Sequence, residues 1–457
     1  MRQRPIEQDN IKRRSNFNPV EENLTAEQVK LEADRCLNCK NPRCVKGCPV
    51  NIKIPDFIKA LKDSDLETAG EIIRETSMLP SVCGRVCPQE RQCEGNCVLG
   101  IKGEPIAIGA LERYVGDNTS AKDVKIVSSG KRVAVVGSGC AGITAAADLR
   151  KAGHEVTVFE ALHEFGGVLR YGIPPFRLPR KVLDREISNL QKMGVKFEKN
   201  VIVGKSITIK QLQEDGFDAI FICSGAGLPK MMNIPGENLN GVFSANEFLT
   251  RVNLMHANED SVATPLKVGK SVAVIGGGNV AMDAARTAVR VGFEKVYIVY
   301  RRTEKELPAR LEEIRHAKEE GVEFVFLHAP SEILDNQGSV SGMKFEIMEL
   351  GEPDDTGRRS PVGTGEYTVF DVDTVIVALG TGPNPIIQKS SNEDGLNFET
   401  DRRGYFIVDE ESRETSIPTI FAGGDVAPVG ASNAINAMGA GKKAAKAINK
   451  FLLDSEC

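Results

Sequence analysis

Eight of the eleven cysteines fall into two short groups near the N-terminus. "RCLNCKNPRCVKGCPV" carries Cys36, Cys39, Cys44 and Cys48, and "SVCGRVCPQERQCEGNC" carries Cys83, Cys87, Cys93 and Cys97. The spacing is C-x2-C-x4-C-x3-C-P, then C-x3-C-P-x4-C-x3-C. Zinc ribbons use two C-x2-C pairs across a longer loop, whereas compact runs ending in cysteine–proline suit paired iron–sulfur clusters. In a reducing compartment such a cluster of thiols points to metal or redox chemistry and away from structural disulfides.

Two further motifs would bind nucleotides. "RVAVVGSGCAGITAAADLRKAGHEVTVFEA" reads strand, glycine turn, helix, strand, and "SVAVIGGGNVAMDAARTAVRVGFEKVYIVYRR" repeats that order about 140 residues later. In the first, Gly137, Gly139 and Gly142 form G-x-G-x-x-G, with Cys140 and Ala141 opening the helix. Glycine lets the backbone approach a pyrophosphate held at the helix N-terminus. Glu160 ends the following strand, where an acid binds ribose hydroxyls. In the second, Gly276, Gly278 and Ala281 enclose Asn279 and Val280, and the second strand ends in Arg301 and Arg302 where an NAD site carries an acid. Guanidinium pairs with phosphate, so this site is expected to take NADP(H) through the 2′-phosphate. Cys140 and Cys223 are isolated, so no redox-active pair of the disulfide-reductase kind is expected.

The elements that must position these motifs follow from pattern. A 457-residue chain with 41% hydrophobic and 26% charged residues supports several soluble domains. A net charge of -5 gives no general reason for nucleic-acid binding. No run reaches the ~18 apolar residues of a membrane span, and the basic start "MRQRPIEQDNIKRRSNF" lacks the apolar stretch of a secretory signal. The expected location is cytoplasmic. "LTAEQVKLEADRCLNC" reads as a helix capped by Thr25 and Gln28, and "IPDFIKALKDSDLETAGEIIRET" as helical with a break near Asp63–Asp65. The polar stretch 116–131 reads as a linker. The expected fold is α/β. A helical iron–sulfur domain (1–125) precedes two Rossmann-like, glutathione-reductase-like domains, the NADP domain (266–372) being inserted between two halves of an FAD domain (126–265 and 373–457).

The choice of FAD for the first site rests on resemblance. "EFGGVLRYGIP" and "IPTIFAGGDVAPVGASNAINAMGAGKKAAKAI" resemble flavin-contacting segments of the two-dinucleotide-domain flavoprotein reductases. That resemblance implies a ribityl contact for Asp425 and a helix from Ser432–Asn433 aimed at the flavin pyrimidine. It adds Gly167, Val168, Arg170, Gly225, Gly424 and Ala434 as FAD contacts, and Gly380 as an NADP contact. A flavin takes two electrons as hydride and releases them singly to iron–sulfur clusters, a role redox-inert zinc could not fill.

Over residues 18 to 450 the chain resembles the small (beta) subunit of NADPH-dependent glutamate synthase. It resembles still more the large subunit of NADH-dependent reduced ferredoxin:NADP oxidoreductase, which is electron-bifurcating, and more distantly the N-terminal half of dihydropyrimidine dehydrogenase. "GGVLRYGIP", "IPGENLNGVFSANEFLTRVNLM" and "VAVIGGGNVAMDAARTA" carry the likeness, within the branch called homotetrameric glutamate synthase. The resemblance implies two [4Fe–4S] clusters, one on Cys36, Cys39, Cys44 and Cys97, the other on Cys48, Cys87, Cys93 and Glu112 of "PIAIGALERYV". Cys83 as eighth ligand, with Glu112 a surface acid, stays open. Pro175 and Asn433 stand where relatives often have Glu and Thr. The implied activity moves electrons between NADP(H), FAD and the clusters, to or from a partner redox subunit linked to ferredoxin or hydrogenase. Two alternatives are the electron-input subunit of glutamate synthase and a structural interaction subunit with decayed cofactor sites. A glutaminase site and an FMN-bearing synthase site have no room in this length.

Overall fold

The protein is described from a computed structural model covering residues 1–121, 125–355, 357, 359–428 and 433–454. The helical part comprises α1 (Ala26–Asp34), α2 (Arg43–Lys46), α3 (Ile54–Lys62), α4 (Leu66–Arg74), α5 (Pro80–Val86) and α6 (Ile108–Asn118). Next come β1 (Arg132–Val136), α7 (Cys140–Lys151), β2 (Glu155–Glu160), α8 (Val168–Tyr171), α9 (Arg180–Lys192), β3 (Lys196–Lys199), α10 (Ile209–Glu214), β4 (Ala219–Ile222) and β5 (Leu228–Pro229). The middle contains β6 (Val242–Ser244), α11 (Ala245–Asn253), β7 (Ser271–Ile275), α12 (Asn279–Val291), β8 (Lys295–Tyr300), α13 (Leu311–Glu319) and β9 (Glu323–Phe326). Then follow β10 (His328–Asn336), β11 (Ser339–Pro353), β12 (Arg359–Phe370), β13 (Thr374–Val377), β14 (Thr381–Gly382), α14 (Ile386–Glu393), β15 (Ile420–Ala422) and α15 (Ala434–Asp454).

Local chemistry explains the helical part. The Thr25 hydroxyl accepts from the Gln28 amide at 3.2 Å and the Gln28 side chain accepts from the Thr25 amide at 2.9 Å, closing the capping box that starts α1. The expected break between α3 and α4 is present, and Asp65 caps α4 by accepting from Thr68 N at 3.0 Å. Phe57, Ile58, Leu61 and Ile73 bury the shared face of these two helices. The 116–131 stretch differs from expectation at its start. Gly116, Asp117 and Asn118 complete α6, because a side chain at Gly116 would meet Ser81 and the helix packs there against α5.

The first sheet is parallel, in the order β15-β4-β1-β2-β3. The chain leaves it after β4, builds the second parallel sheet, β6-β13-β7-β8-β9, and returns at β15. One dinucleotide fold is thus inserted in the other, and the antiparallel β5–β14 pair marks the crossing. Sheet membership shifts the boundaries drawn from sequence. β6 lies before 266 and β13 after 372, yet both belong to the second sheet, with Thr374 opposite Val272 and Val375 opposite Val242. Buried parallel strands read alike in sequence whichever sheet they join. β10, β11 and β12 form a separate antiparallel sheet against the second one.

Buried ions join the three parts. Arg177, between α8 and α9, pairs with both oxygens of Asp283 on α12 (2.8 and 2.6 Å) and with Glu313 on α13 (2.8 Å). Arg286 and Arg290 grip Glu320 at 2.6–3.0 Å, and Arg13 from the N-terminal segment reaches the same carboxylate at 3.0 Å. Burial opposes ionisation of Glu320, but hydrogen bonds from Arg290 and Arg286 prevail and hold it near 2. Phe176 lies beneath both arginines, 4.6 and 3.9 Å from their guanidinium carbons.

Glu21, beside Arg113 and hydrogen-bonded to Glu312, is pushed up to about 8 by burial and by the Glu312 charge, against Arg113 and Arg310. Glu7 and His316 are also close, within 4.8 Å of Glu21.

Two outcomes follow from these pairs. Arg177→Ala leaves Asp283 and Glu313 buried without their shared cation and should cost about 3–5 kcal/mol in denaturant unfolding; a loss under about 1 kcal/mol would refute the role given to this pair. Between the unfolded Glu value of 4.5 and about 8, folded Glu21 keeps a proton that the unfolded chain releases. Its contribution is full below 4.5 and is lost as pH rises through 8. Glu21→Gln should therefore gain stability relative to the parent as pH climbs through that window; parallel pH profiles of the urea midpoint would contradict it.

Candidate functional site

Each glycine turn divides its labour. At Gly137 (φ +116°) a Cβ would fall 2.5 Å from Cys223 O, and at Gly142 it would fall 1.9 Å from Gly137 O. Those two glycines permit close packing of α7 on β1 and β4. Gly139 differs, since a Cβ there meets nothing within 4 Å. Its open side lies at the start of α7, where amides and the helix dipole favour a phosphate. Gly276 and Gly278 repeat the division, the first 2.5 Å from Ala378 O and the second open. Ala281 is fully buried. Cβ positions at Gly225 and Gly380 also meet open space.

Around the first turn, Glu160 accepts from Ser138 N at 3.0 Å and from Leu162 N at 2.9 Å, which fixes its carboxylate beside the loop. Gly167 (φ +53°) comes within 3.1 Å of the Gly139 Cα when given a Cβ, so "GGVLRYG" folds over the same opening, with Val168 exposed there. Arg170 donates to Phe165 O at 3.1 Å and pairs with Asp184, which directs its guanidinium along α9. Gly424 (φ +72°) precedes Asp425, and a Cβ on Gly424 would sit 3.1 Å from Ala141. Asp425 raises its neighbours. Burial and then its charge push the Cys140 thiol up, and the same two causes, with Glu160, push Tyr171 up to about 12. Tyr171 thus belongs to this site although nothing local in sequence singled it out. Asn433 accepts from Asn436 N at 3.0 Å and so caps α15, which begins at Ala434; Ser432 lies outside the described residues.

At the second turn, Asn279 accepts from Arg310 N at 2.9 Å, and Val280 is exposed at the helix start. The two arginines part company. Arg301 is exposed, whereas Arg302 is buried and donates through Nε to Arg359 O at 3.0 Å. Arg310 carries the connection onward, donating to Arg85 O at 2.7 Å and to the Gln89 side chain at 2.9 Å in the helical part.

The cysteines separate into two groups. Cys36, Cys39, Cys44 and Cys97 line one hollow with Leu37, Arg43 and Ile108, and all four are partly exposed. Burial pushes Cys44 up to about 11, and the charges of Cys97, Cys36 and Cys39 add to it. Cys48, Cys83, Cys87 and Cys93 are buried. Glu112, only 5% exposed, joins this second group, its charge reaching Cys48, Cys87 and Cys93. Burial and then Cys83 push the Glu112 carboxyl well above the usual carboxylate range. Its Oε1 is buried without a hydrogen-bond partner. A lone buried carboxyl oxygen is costly by itself, and together with the neighbouring thiols it makes a donor set that a metal cluster would satisfy. Both groups, and the open glycine cradles, therefore fit the cofactors inferred from sequence.

Comparison with known proteins agrees with this chemistry. Residues 13–124 match the family described as dihydropyrimidine dehydrogenase domain II, 4Fe-4S cluster, and residues 113–441 match pyridine nucleotide-disulphide oxidoreductase. The glutamate synthase [NADPH] small chain of Escherichia coli is 37% identical over 96% of this chain and 95% of its own. The NADP(+)-dependent formate dehydrogenase subunit beta of Moorella thermoacetica is 38% identical over 90% of this chain, which spans 60% of that relative's length. Among solved structures, FprA from Mycobacterium tuberculosis (His57Gln mutant) covers 72% of this chain and 86% of its own at a TM-score of 0.58 and 24% identity, a likeness of fold.

The contrast between glycines is testable. Gly139→Val has room in the folded chain, so unfolding of the cofactor-free protein should change by less than about 0.5 kcal/mol. Bound flavin per chain should fall by about tenfold or more, the equivalent of ~1.4 kcal/mol. Full flavin content in that variant would remove Gly139 from the cradle.

Proposed function

We propose, from the premise that this chain belongs to the NADPH-dependent glutamate synthase small-chain family of iron–sulfur flavoprotein oxidoreductases, that it is the NADP(H)-handling subunit of a larger redox complex. It is an NADPH-dependent oxidoreductase with FAD and 4Fe-4S cofactors. When bound, NADP(H) and FAD exchange a hydride and the clusters carry electrons singly.

The chain's own residues bind and orient. Gly139 opens the α7 N-terminus to the FAD pyrophosphate, Glu160 holds the ribose, and Asp425 with the capped start of α15 lies towards the flavin. Gly278 does for NADP(H) what Gly139 does for FAD, and exposed Arg301 takes the 2′-phosphate. Arg302, held by Arg359 O, supports that strand end and contributes charge. Cys36, Cys39, Cys44 and Cys97 hold one [4Fe–4S] cluster; Cys48, Cys87, Cys93 and Glu112 hold the second. No side chain is required as an acid or base.

The carrying observation is the orphaned Glu112 oxygen among buried thiols, one of which, Cys83, lies 3.5 Å from Met438 on α15 at the FAD fold. The partner meets the other cluster. There the thiols are partly exposed, Leu37 and Ile101 are exposed beside them, and Arg43 and Lys62 supply positive charge, Lys62 bonding Cys36 O at 2.6 Å. An acidic redox subunit, linked to ferredoxin or hydrogenase, fits that face. A glutamate synthase large chain is the second reading, favoured by the near end-to-end match to the small chain. Ligating thiols require a reducing compartment, which argues for the cytoplasm; no helix among the described residues is long and apolar enough to cross a membrane.

Anaerobic titration of the purified protein should bleach its flavin with NADPH. Arg301→Ala should raise KM for NADPH on the order of ten- to a hundredfold, matching a lost charged hydrogen bond, without changing KM for NADH. Equal effects on both nucleotides would remove the 2′-phosphate role. Mass spectrometry of chains co-purified without oxygen then separates the partners: a flavin or iron–sulfur subunit supports the first reading, a glutaminase-bearing chain the second.

A further inference from the structure

Cys83 occupies the boundary between the second thiol group and the FAD cradle. It is 1% exposed, on α5. Its Sγ lies 3.5 Å from the Met438 sulfur on α15 and 3.8 Å from Ser77 Oγ. Cys87 follows one helical turn later, its backbone N–H donating to Cys83 O at 3.2 Å, so the two side chains stand next to each other at the end of α5. Cys83 therefore stands beside Cys87 of the second thiol group and against α15, whose start forms part of the FAD cradle.

Satisfaction of polar groups separates Cys83 from Glu112. Glu112 Oε1 has no protein partner, whereas the Cys83 thiol has the Met438 sulfur and the Ser77 hydroxyl within reach. Four donors complete the cluster without Cys83 once Glu112 is counted. Ligation turns Cys87 into a thiolate, and a charged sulfur accepts a hydrogen bond more strongly than the Met438 thioether. The Cys83 S–H then has one preferred acceptor.

We propose that Cys83 is a non-ligating thiol that donates its S–H to the ligating sulfur of Cys87 and thereby raises the reduction potential of the cluster nearer the flavin. A donor at a ligating sulfur stabilises the more negative, reduced cluster. Met438 and Ser77 fix the thiol in place from behind, so Cys83 is a positioning residue. The proposal rests on the ligand set given above, Cys48, Cys87, Cys93 and Glu112.

The test uses the full chain with its cofactors, purified anaerobically as Cys83→Ala, Cys83→Ser and Glu112→Ala. Iron, sulfide and flavin per chain are measured, together with cluster potentials by electron paramagnetic resonance titration. Cys83→Ala should keep its full iron while one cluster's potential falls and the other cluster and the flavin stay put. Cys83→Ser, which still donates, should recover part of the shift. A structural role alone would lower stability without moving a potential. Full iron with unmoved potentials in Cys83→Ala overturns the tuning role and leaves the ligand set standing. Loss of one cluster's iron from both Cys83 variants, with full iron in Glu112→Ala, overturns the ligand set itself.

Discussion

The arrangement depends on charges that could not be buried alone. Asp283, Glu313 and Glu320 would each impose a desolvation cost of several kcal/mol without a partner. Asp283 is instead paired with Arg177 from the first dinucleotide fold, Glu313 is shared by Arg177 and Arg286, and Glu320 is shared by Arg286 and Arg290 of the second fold and by Arg13 of the N-terminal segment. Glu313 and Glu320 have arginines within their own fold, but Asp283 finds its cation, Arg177, and buried Arg13 finds Glu320 only when the parts are docked together. Docking therefore costs far less than separation into parts that keep the same residues dry.

The same docking places the cofactor sites in contact. Asn279 at the second glycine turn accepts from the Arg310 amide, the Arg310 guanidinium reaches Gln89, and Gln89 donates to Cys83 O at 3.1 Å. A continuous run of hydrogen bonds thus connects the NADP(H) turn to the helix that carries Cys83. Its physical content is positional: moving the second fold would pull on the cluster-bearing helix through Arg310 and Gln89, and through Arg91, which donates to Pro308 O at 3.0 Å. Sites that must exchange electrons need such fixed separations more than they need acid or base groups.

Short-range signals were legible in the sequence. The Thr25–Gln28 cap, the break before Asp65, both glycine turns and the insertion of one fold in the other appear as read. Long-range pairing was not. Arg13 and Arg177 sit in stretches with no periodic pattern, and their partners lie more than a hundred residues away. A buried arginine looks like a surface arginine until its acid is found. Arg302 illustrates the same limit, since its role as a brace depends on β12, which follows it by 57 residues. Sheet membership of β6 and β13 depended likewise on pairing that a single strand's sequence does not record.

The two glycine turns, alike in sequence, differ at their third position for a reason visible only in the packing. Gly142 cannot carry a methyl because Gly137 O lies 1.9 Å from where it would stand, yet Ala281 carries one while fully buried. α7 is pressed between the first sheet and α15, where Gly441 comes so close that its own Cβ would lie 2.3 Å from Ala141 O. That pressure comes from the second half of the FAD fold, which returns after the insertion to lay α15 across α7. α12 faces α11 and α13 instead, and its opposite flank is held by Arg177 on Asp283 at salt-bridge distance, which leaves space for a methyl. Glycine at the third position of the first turn thus reports contact with the turn's own carbonyl and with the Cys223 sulfur, 3.0 Å from where a methyl would stand. Both cradles are thus closed by backbone contact at their first glycine, Cys223 O in one fold and Ala378 O in the other, and only the first fold adds a second carbonyl at the third position.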